Sequence, residues 1–453
     1  MNTSSRPELA RDLGVSQAVA VVVGTVIGSG IFLVPTEMMQ AVGSAKIVYI
    51  VWLVGGLLSF FGALTYAELG AMKPQASGEY VYMRDAYGPL AGFLASWTWF
   101  LIAKPASIAT LTTGIVRVLG TFPAFAFLSN NAVHTPFTIN YGQLLAIAAT
   151  LLITFLNYTG IKKAGEFQLI FTLLKVLIIL AIVAAGFSYS GGTWANFAGS
   201  YAGAKGGIAG FMAALVAALW AYDGWNDLNM VAGEIRNPER DIPIALIAGV
   251  AIVGALYVLV NAAVQYVLPA SAVAASQRPA SDAMALVLGP IGAGIVSVGM
   301  ALSMFVALNG TIMSGARLPF TMSRDGYFFS ALGDVHPRFR TPSTALLVQA
   351  GLSIILLLLR GSFRQFFSLA IFSEWLFYML TASTIFVFRR RDPNVPRPYR
   401  VWGYPVVPLL FVLASGLLLY FTFVDNVRNS LLGCLVILAG VPVFYAFAHR
   451  RAV

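Results

Sequence analysis

Val23-Gly24-Thr25-Val26-Ile27-Gly28-Ser29-Gly30-Ile31-Phe32 lies in the middle of the first apolar stretch of the chain, residues 15–41. Two glycines flanking a serine weaken a helix, each Gly costing about 1 kcal/mol relative to Ala. In lipid, freed backbone groups are tolerated only where they line a cavity or meet a ligand. A break here lets the amides of Ser29, Gly30 and Ile31 open a new half-helix, whose positive end holds a carboxylate without any cationic side chain. A plainer reading is open too: Gly24 and Gly28, four apart, form the small-xxx-small face of a close helix contact. On this stretch alone the two readings stand level.

Leu219-Trp220-Ala221-Tyr222-Asp223-Gly224-Trp225-Asn226-Asp227, inside a second apolar stretch at 206–233, tips the balance. Two aspartates, an asparagine and a glycine at mid-span are costly in hydrocarbon and point to a wet site. A break at Tyr222 to Gly224 releases the carbonyls of Trp220, Ala221 and Asp223. That half-helix C-terminus suits an ammonium group as the first suits a carboxylate. Together the two ends specify a zwitterion, the part common to every amino acid.

Working outward, the 453 residues are 58% hydrophobic and 10% charged, against about 25% charged in soluble domains. Apolar segments 1 to 12 run over 15–41, 46–69, 89–119, 141–160, 167–187, 206–233, 242–268, 285–316, 343–360, 365–388, 404–424 and 430–448. At about 20 residues per spanning helix they account for the chain and leave no water-exposed domain of enzyme size. With the N-terminus inside, the inside loops carry most of the 28 Lys and Arg, including Arg389-Arg390-Arg391. The outside loops and helix ends hold only the minority, such as Lys46, Arg117, Lys205, Arg278 and Arg360. The bias places both termini in the cytoplasm, and it explains a net charge of +10 without a nucleic-acid partner. The polar start, 1–14, has no apolar core or cleavage signature, so no removable signal peptide is expected. The single cysteine, Cys434, lies in segment 12 and allows no internal disulfide. Within the inside loop 70–88, Gly78-Glu79-Tyr80-Val81-Tyr82-Met83-Arg84 reads as a helix along the cytoplasmic surface, while 121–140 and 188–205 read as outside loops.

The chain resembles members of the amino acid–polyamine–organocation superfamily, nearest the L-type amino acid transporters and their bacterial relatives. The resemblance is carried by GTVIGSGIF at 24–32, GEYVYMRDAYG at 78–88, FQLIFTLLK at 167–175, WAYDGWNDLN at 220–229 and EIRNPERDIP at 234–243. It continues through LYVLVNAA at 256–263, ARLPFTMSRDG at 316–326, FSEWLFYML at 372–380 and RPYRVWGYP at 397–405. It implies an all-α membrane protein of twelve transmembrane helices with the inverted five-plus-five repeat of the LeuT-like fold. Repeats at 15–187 and 206–388 would have helices 1 and 6 unwound at the midplane. Helices 11 and 12 (404–448) are additional, and 1–14 and 449–453 are cytoplasmic ends. By position, a substrate carboxylate would lie on the amides of Gly28, Ser29, Gly30 and Ile31. Its ammonium would lie on the carbonyls of Val26, Trp220, Ala221 and Asp223, with Ile27 inside the same break. Trp220 takes the place of an aromatic gate, and Asn226 that of a polar group near the pocket. Asp223 either tunes side-chain preference and coupling or simply caps the broken helix.

Lys175 stands among Leu, Val and Ile in segment 5, where a charged Lys costs at least ~2.5 kcal/mol. In sodium-coupled relatives a cation bridges helices 1 and 8 near this position. The Lys175 ammonium would replace it by bonding helix 1 carbonyls and a helix 8 group such as Ser303 or Asn309, which predicts sodium-independent transport. Glu374 is either a proton carrier or a polar residue of a wet vestibule; Lys104 pairs or faces the interior, with no assigned role. The charged residues of 234–241 and 317–340 read as cytoplasmic latches or topology signals. His134, His336 and His449 are scattered, so no metal is expected, and nucleotide-binding and cofactor signatures are absent. The expected function is therefore exchange or uptake of small neutral L-amino acids across a bacterial plasma membrane. The alternatives are a proton-coupled symporter and a cationic amino acid or polyamine antiporter. A channel or membrane enzyme is the reading from another class, and no nucleophile or acid–base pair speaks for the enzyme. Animal relatives join a heavy chain through a cysteine in the loop after segment 3. Loop 121–140 has none, so no disulfide-linked partner is expected.

Overall fold

The computed structural model describes residues 8–133, 138–359, 363–425 and 427–452, with backbone only for 363–371, 425 and 450–452. Arg6, His134 and Arg360 fall outside the described residues, as do parts of the terminal stretches 1–14 and 449–453. Every apolar segment of the sequence is helical. Among the described residues nine helices are long and apolar enough to cross a membrane, and Gly207–Ala221, Pro279–Leu288 and Ser343–Leu358 are shorter apolar helices.

Segment 1 is the centre of the bundle, with 89% of its apolar window buried, against 22% and 17% for segments 11 and 12. It is two helices, Val15–Val26 and Gly30–Val42. The first packs against segments 5, 7 and 8, and the second against the first half of segment 6. Segment 2 (Ala45–Met72) lies along segment 7 (Pro238–Val267), segment 3 against segment 8, and segment 4 (Tyr141–Tyr158) against segment 9. Segments 11 and 12 flank segment 10 from outside. Segment 1 buries mainly Val, Ala, Ile and Met, and backbones come close where a glycine stands at the contact, as at Gly24, Gly30, Gly249 and Gly310. The exposed Leu, Ile and Val of segments 5, 11 and 12 form the lipid-facing surface.

The structure differs from the sequence reading at several places: segment 5 starts at Ile161 rather than 167 and segment 7 at Pro238 rather than 242. Segment 8 starts at Pro290, not 285, because Gly289 (φ +67) ends a separate outer helix, Pro279–Leu288. Loop 121–140 is not wholly irregular. It holds a 3-10 turn at Pro123–Ser129 and a short antiparallel pair, Asn131–Val133 with Ile139–Asn140, so the fold is all-α apart from this hairpin. The Gly78–Tyr87 helix does not lie on a surface. Glu79, Tyr80, Val81, Tyr82 and Met83 are buried, because its start is wedged under segment 6: Ser77 N–H donates to Met230 O (2.8 Å), and a Cβ on Gly78 would sit 2.6 Å from Asn229 O.

Candidate functional site

The first break is a backbone event. Ile27 leaves the helix at ψ 86, and Gly28 N–H folds back onto Val26 O at 2.8 Å. Helix resumes at Gly30, and the amides of Ser29, Gly30 and Ile31 donate to no protein acceptor among the described residues. Unfilled donors at a helix N-terminus have the geometry and dipole that favour an anion. The two readings of the glycines divide between residues. Gly24 is a packing glycine, since a Cβ would meet Gln168 and Thr172 of segment 5 at 2.2 and 2.5 Å; at Gly28 the nearest atom is Leu111 Cδ2 at 3.9 Å.

The second break uses side chains. Gly207–Ala221 ends at Tyr222, Asp223 N–H closes on Trp220 O at 3.1 Å, and helix resumes only at Asp227. Gly224 makes the turn at φ +104, where a side chain is strained, and a Cβ there would stand 2.9 Å from Thr25 Cγ2. The two breaks touch at Gly30, whose Cβ would meet the Ala221 backbone at 2.9 Å.

Between them is a cavity of about 90 Å³. Val26, Gly28, Ser29, Gly30, Trp220, Ala221, Asp223 and Glu374 line it, together with Thr25, Trp99, Lys104, Thr110, Asp227 and Tyr378. The hydroxyls of Thr25 and Thr110 are buried without partners. Ser29 also lines a second cavity that reaches Arg117, Gln277 and Arg278 at the segment ends. The opposite end is shut. Arg317 and Glu234, both fully buried, form a two-pronged pair (2.7 and 2.8 Å), and Leu13 N–H reaches Glu234 O at 3.0 Å. These charges form a buried latch rather than a solvated topology signal.

Several anticipated residues lie elsewhere. Ile27 and Ile31 are absent from the cavity wall, and Asn226 stands one layer behind it. Asn226 Nδ2 donates to Glu79 Oε1 (2.8 Å), and its Oδ1 lies 2.8 Å from the Tyr378 hydroxyl, which also reaches Asp223 Oδ1 at 2.6 Å. The carbonyls of Val26 and Ala221 are not left open, because the Tyr257 hydroxyl sits 3.0 and 2.7 Å from them and ties the breaks together. Each carbonyl keeps a second lone pair.

Lys175 is fully buried and donates to Gly24 O (2.6 Å) and Ile27 O (2.8 Å), carbonyls at the end of the first half-helix. The helix 8 partner is not found. Ser303 Oγ is buried without a bond, and Asn309 is taken by Asn157, Ala164 O and Gln168, which it ties to segments 4 and 5. Among the described residues the ammonium bonds only the backbone of segment 1.

Lys104, to which the sequence assigns no role, stands in the cavity wall paired with Asp227, whose other oxygen accepts from Ser314 at 2.9 Å. Its direction is set by Pro105, which removes a helical N–H. The turn before it widens to a π-helix at Trp99–Ala103, putting Lys104 Nζ 5.1 Å from the Trp99 ring. Such bulges recur at functional sites. A charged Lys followed by Pro inside an apolar run was the available signal. Tyr257, Tyr378 and Glu79 gave none.

Among the described residues no group of His, Cys, Asp or Glu is arranged to hold a metal. A profile of the amino acid permease family matches residues 13–447. The serine/threonine exchanger SteT of Bacillus subtilis (strain 168) is 32% identical over 447 residues, covering 98% of each chain. The b(0,+)-type amino acid transporter 1 of Homo sapiens is 32% identical, over 98% of this chain and 89% of that protein. The cystine/glutamate transporter of Homo sapiens is 30% identical, over 97% and 86%. With its backbone-built site and this match along nearly its whole length, the chain belongs to the amino acid permease family of the amino acid–polyamine–organocation superfamily, as a membrane-spanning amino acid transporter and not an enzyme.

Proposed function

We propose that the protein exchanges small neutral L-amino acids by alternating access, without sodium. One observation carries this reading: of the three unfilled amides of segment 1, those of Ser29 and Gly30 belong to residues lining a cavity of about 90 Å³ that Trp220, Ala221 and Asp223 of the broken end of segment 6 line as well. The carboxylate would rest on Ser29, Gly30 and Ile31, and the ammonium near Asp223 and the second lone pairs of Val26 and Ala221 O. The chamber's size favours a side chain of few atoms under Trp220 and leaves little room for Lys or Arg. A serine/threonine exchanger among the relatives supports the same class. Sodium independence rests on Lys175, whose ammonium fills the carbonyls of Gly24 and Ile27 that a metal ion would otherwise use.

Twelve spans in an inverted five-plus-five repeat are part of the proposal. The mutual packing of segments 2 with 7, 3 with 8, 4 with 9, and the outer halves of 1 and 6 (Gly30–Val42 and Gly207–Ala221) supports it, since each pairs positions five apart. Both termini are placed in the cytoplasm of a bacterial plasma membrane by the charge bias. Because the chain's one cysteine, Cys434, is in segment 12, the transporter works without a disulfide-linked heavy chain.

A second reading has its own support. Asp223 and Glu374 line the cavity in addition to the Lys104–Asp227 pair, and that acidity also fits a proton-coupled symporter or a carrier of cationic amino acids. Uptake into proteoliposomes, screened across the amino acids with and without internal substrate, separates these. Trans-stimulation by serine, threonine or alanine in sodium-free buffer is expected. Steep sodium dependence, or arginine outcompeting every small neutral substrate, refutes the leading reading.

A further inference from the structure

Glu79 has no task in the transport reading, yet it is completely buried. Both donors that reach it, Asn226 Nδ2 at 2.8 Å and the Tyr66 hydroxyl at 3.3 Å, bond to Oε1, while Oε2 is buried without a partner. That is the pattern of a carboxylic acid, with a carbonyl oxygen accepting twice and the proton on the other oxygen. An ionised carboxyl would leave charge on an oxygen that meets neither water nor a donor, the costliest arrangement for a buried acid.

The surrounding groups do not offset that cost. Tyr66 faces it from segment 2, Tyr82 from its own helix, Asp227 from segment 6, and Glu374 and Tyr378 from segment 10. Lys104 of segment 3 is the facing cation, and it is paired with Asp227. Burial therefore dominates over the bonds from Asn226 and pushes Glu79 up to about 8. Its position gives this a mechanical meaning. The Gly78–Tyr87 helix is wedged beneath the second half of segment 6 through Ser77–Met230 and the Gly78–Asn229 contact, and Glu79 is the side chain that fastens it to Asn226.

We propose that Glu79 is a proton-binding site of the transport cycle, neutral while this helix is clamped on segment 6 and ionised when the clamp opens to cytoplasmic water. On opening, the Oε2–H bond breaks and the proton passes to water; on closing, water returns it. The proposal rests on the transport reading. As pH rises through the value for the clamped state, the proton is no longer regained, and closure is opposed by a bare buried carboxylate.

The test is an infrared pH titration of the purified protein in lipid, paired with the pH profile of exchange. The wild type should show a protonated-carboxyl C=O band at neutral pH that disappears with a midpoint of about 8, with exchange falling several-fold over the same range. Glu79→Gln should lose both the band and the alkaline fall. Tyr66→Phe, which removes one donor to Oε1, should move the midpoint upward. No titrating band in the wild type, a band that survives Glu79→Gln, or an unchanged pH profile in that variant overturns the proposal. The infrared arm needs no substrate, so absence of any amino acid uptake in wild type and variant alike overturns the transport reading and is seen separately.

Discussion

Segment 1 breaks with no charged side chain at the break, whereas segment 6 breaks at a positive-φ glycine, Gly224, with carboxylates on either side and side chains that hold them. The two buried lysines repeat the contrast. Lys175 sits under the first break with two carbonyls for partners; Lys104 sits beside the second and neutralises Asp227. A backbone break needs one charge to satisfy the carbonyls it frees. A break carrying two aspartates needs a cation, a tyrosine and a serine to keep those acids in hydrocarbon. The difference suits the ends of a zwitterion: amides alone hold a carboxylate, while an ammonium needs acidic surroundings.

The hardest blow to this contrast falls on the acidic side. Asp227→Leu strands Lys104 as an unpaired buried cation, and thermal unfolding in detergent should show a loss of about 3–5 kcal/mol. Lys104→Met combined with Asp227→Leu should recover most of that loss; failure to recover would mean that the pair is not what stabilises this region. Gly30→Val comes next. Its Cβ must enter the Ala221 backbone at 2.9 Å, and overpacking costs about 1–3 kcal/mol, with binding lost. For that reason a bulky residue at Gly30 cannot isolate the role of the amides. Gly28→Ala is the cleaner probe, because its Cβ meets open cavity: melting should hold while serine affinity drops about tenfold, ~1.4 kcal/mol.

Lys175→Met should cost about 1–3 kcal/mol, because Gly24 and Ile27 O lose their donor, and transport should stop. Unimpaired sodium-free exchange in that variant would remove the ammonium from the mechanism. Tyr257→Phe has the smallest effect. Losing a hydroxyl shared between Val26 and Ala221 O costs about 1 kcal/mol and should slow exchange without changing substrate rank.

Both breaks were legible because each violates a local expectation, glycine pairs in one apolar run and acids in another. Lys175 was legible for the same reason, a charge among Leu, Val and Ile. Its supposed partners Ser303 and Asn309 were not, because which face of segment 8 meets segment 5 depends on helix rotation. The sequence puts Glu79 on a surface because Gly78–Tyr87 carries Glu, Arg and Asp, whereas the structure buries it. Nothing within that stretch shows that Asn226 and Tyr66 converge on its carboxyl. Asn226 itself was set at the pocket by its neighbours in sequence, whereas Glu79 and Tyr378 draw its amide to the far side of the broken helix.

The sequence by itself determined a membrane-embedded helical bundle, two mid-span breaks and a zwitterionic cargo. Hydropathy, helix propensity and the cost of charge in lipid act on single stretches and can be read against bilayer thickness. Only the tertiary structure decided that Lys104 answers Asp227, that Tyr257 ties the two breaks, and that Glu79 is buried with one oxygen unpartnered. Those pairings join residues far apart in the chain, and their geometry comes from how the helices pack rather than from any one of them.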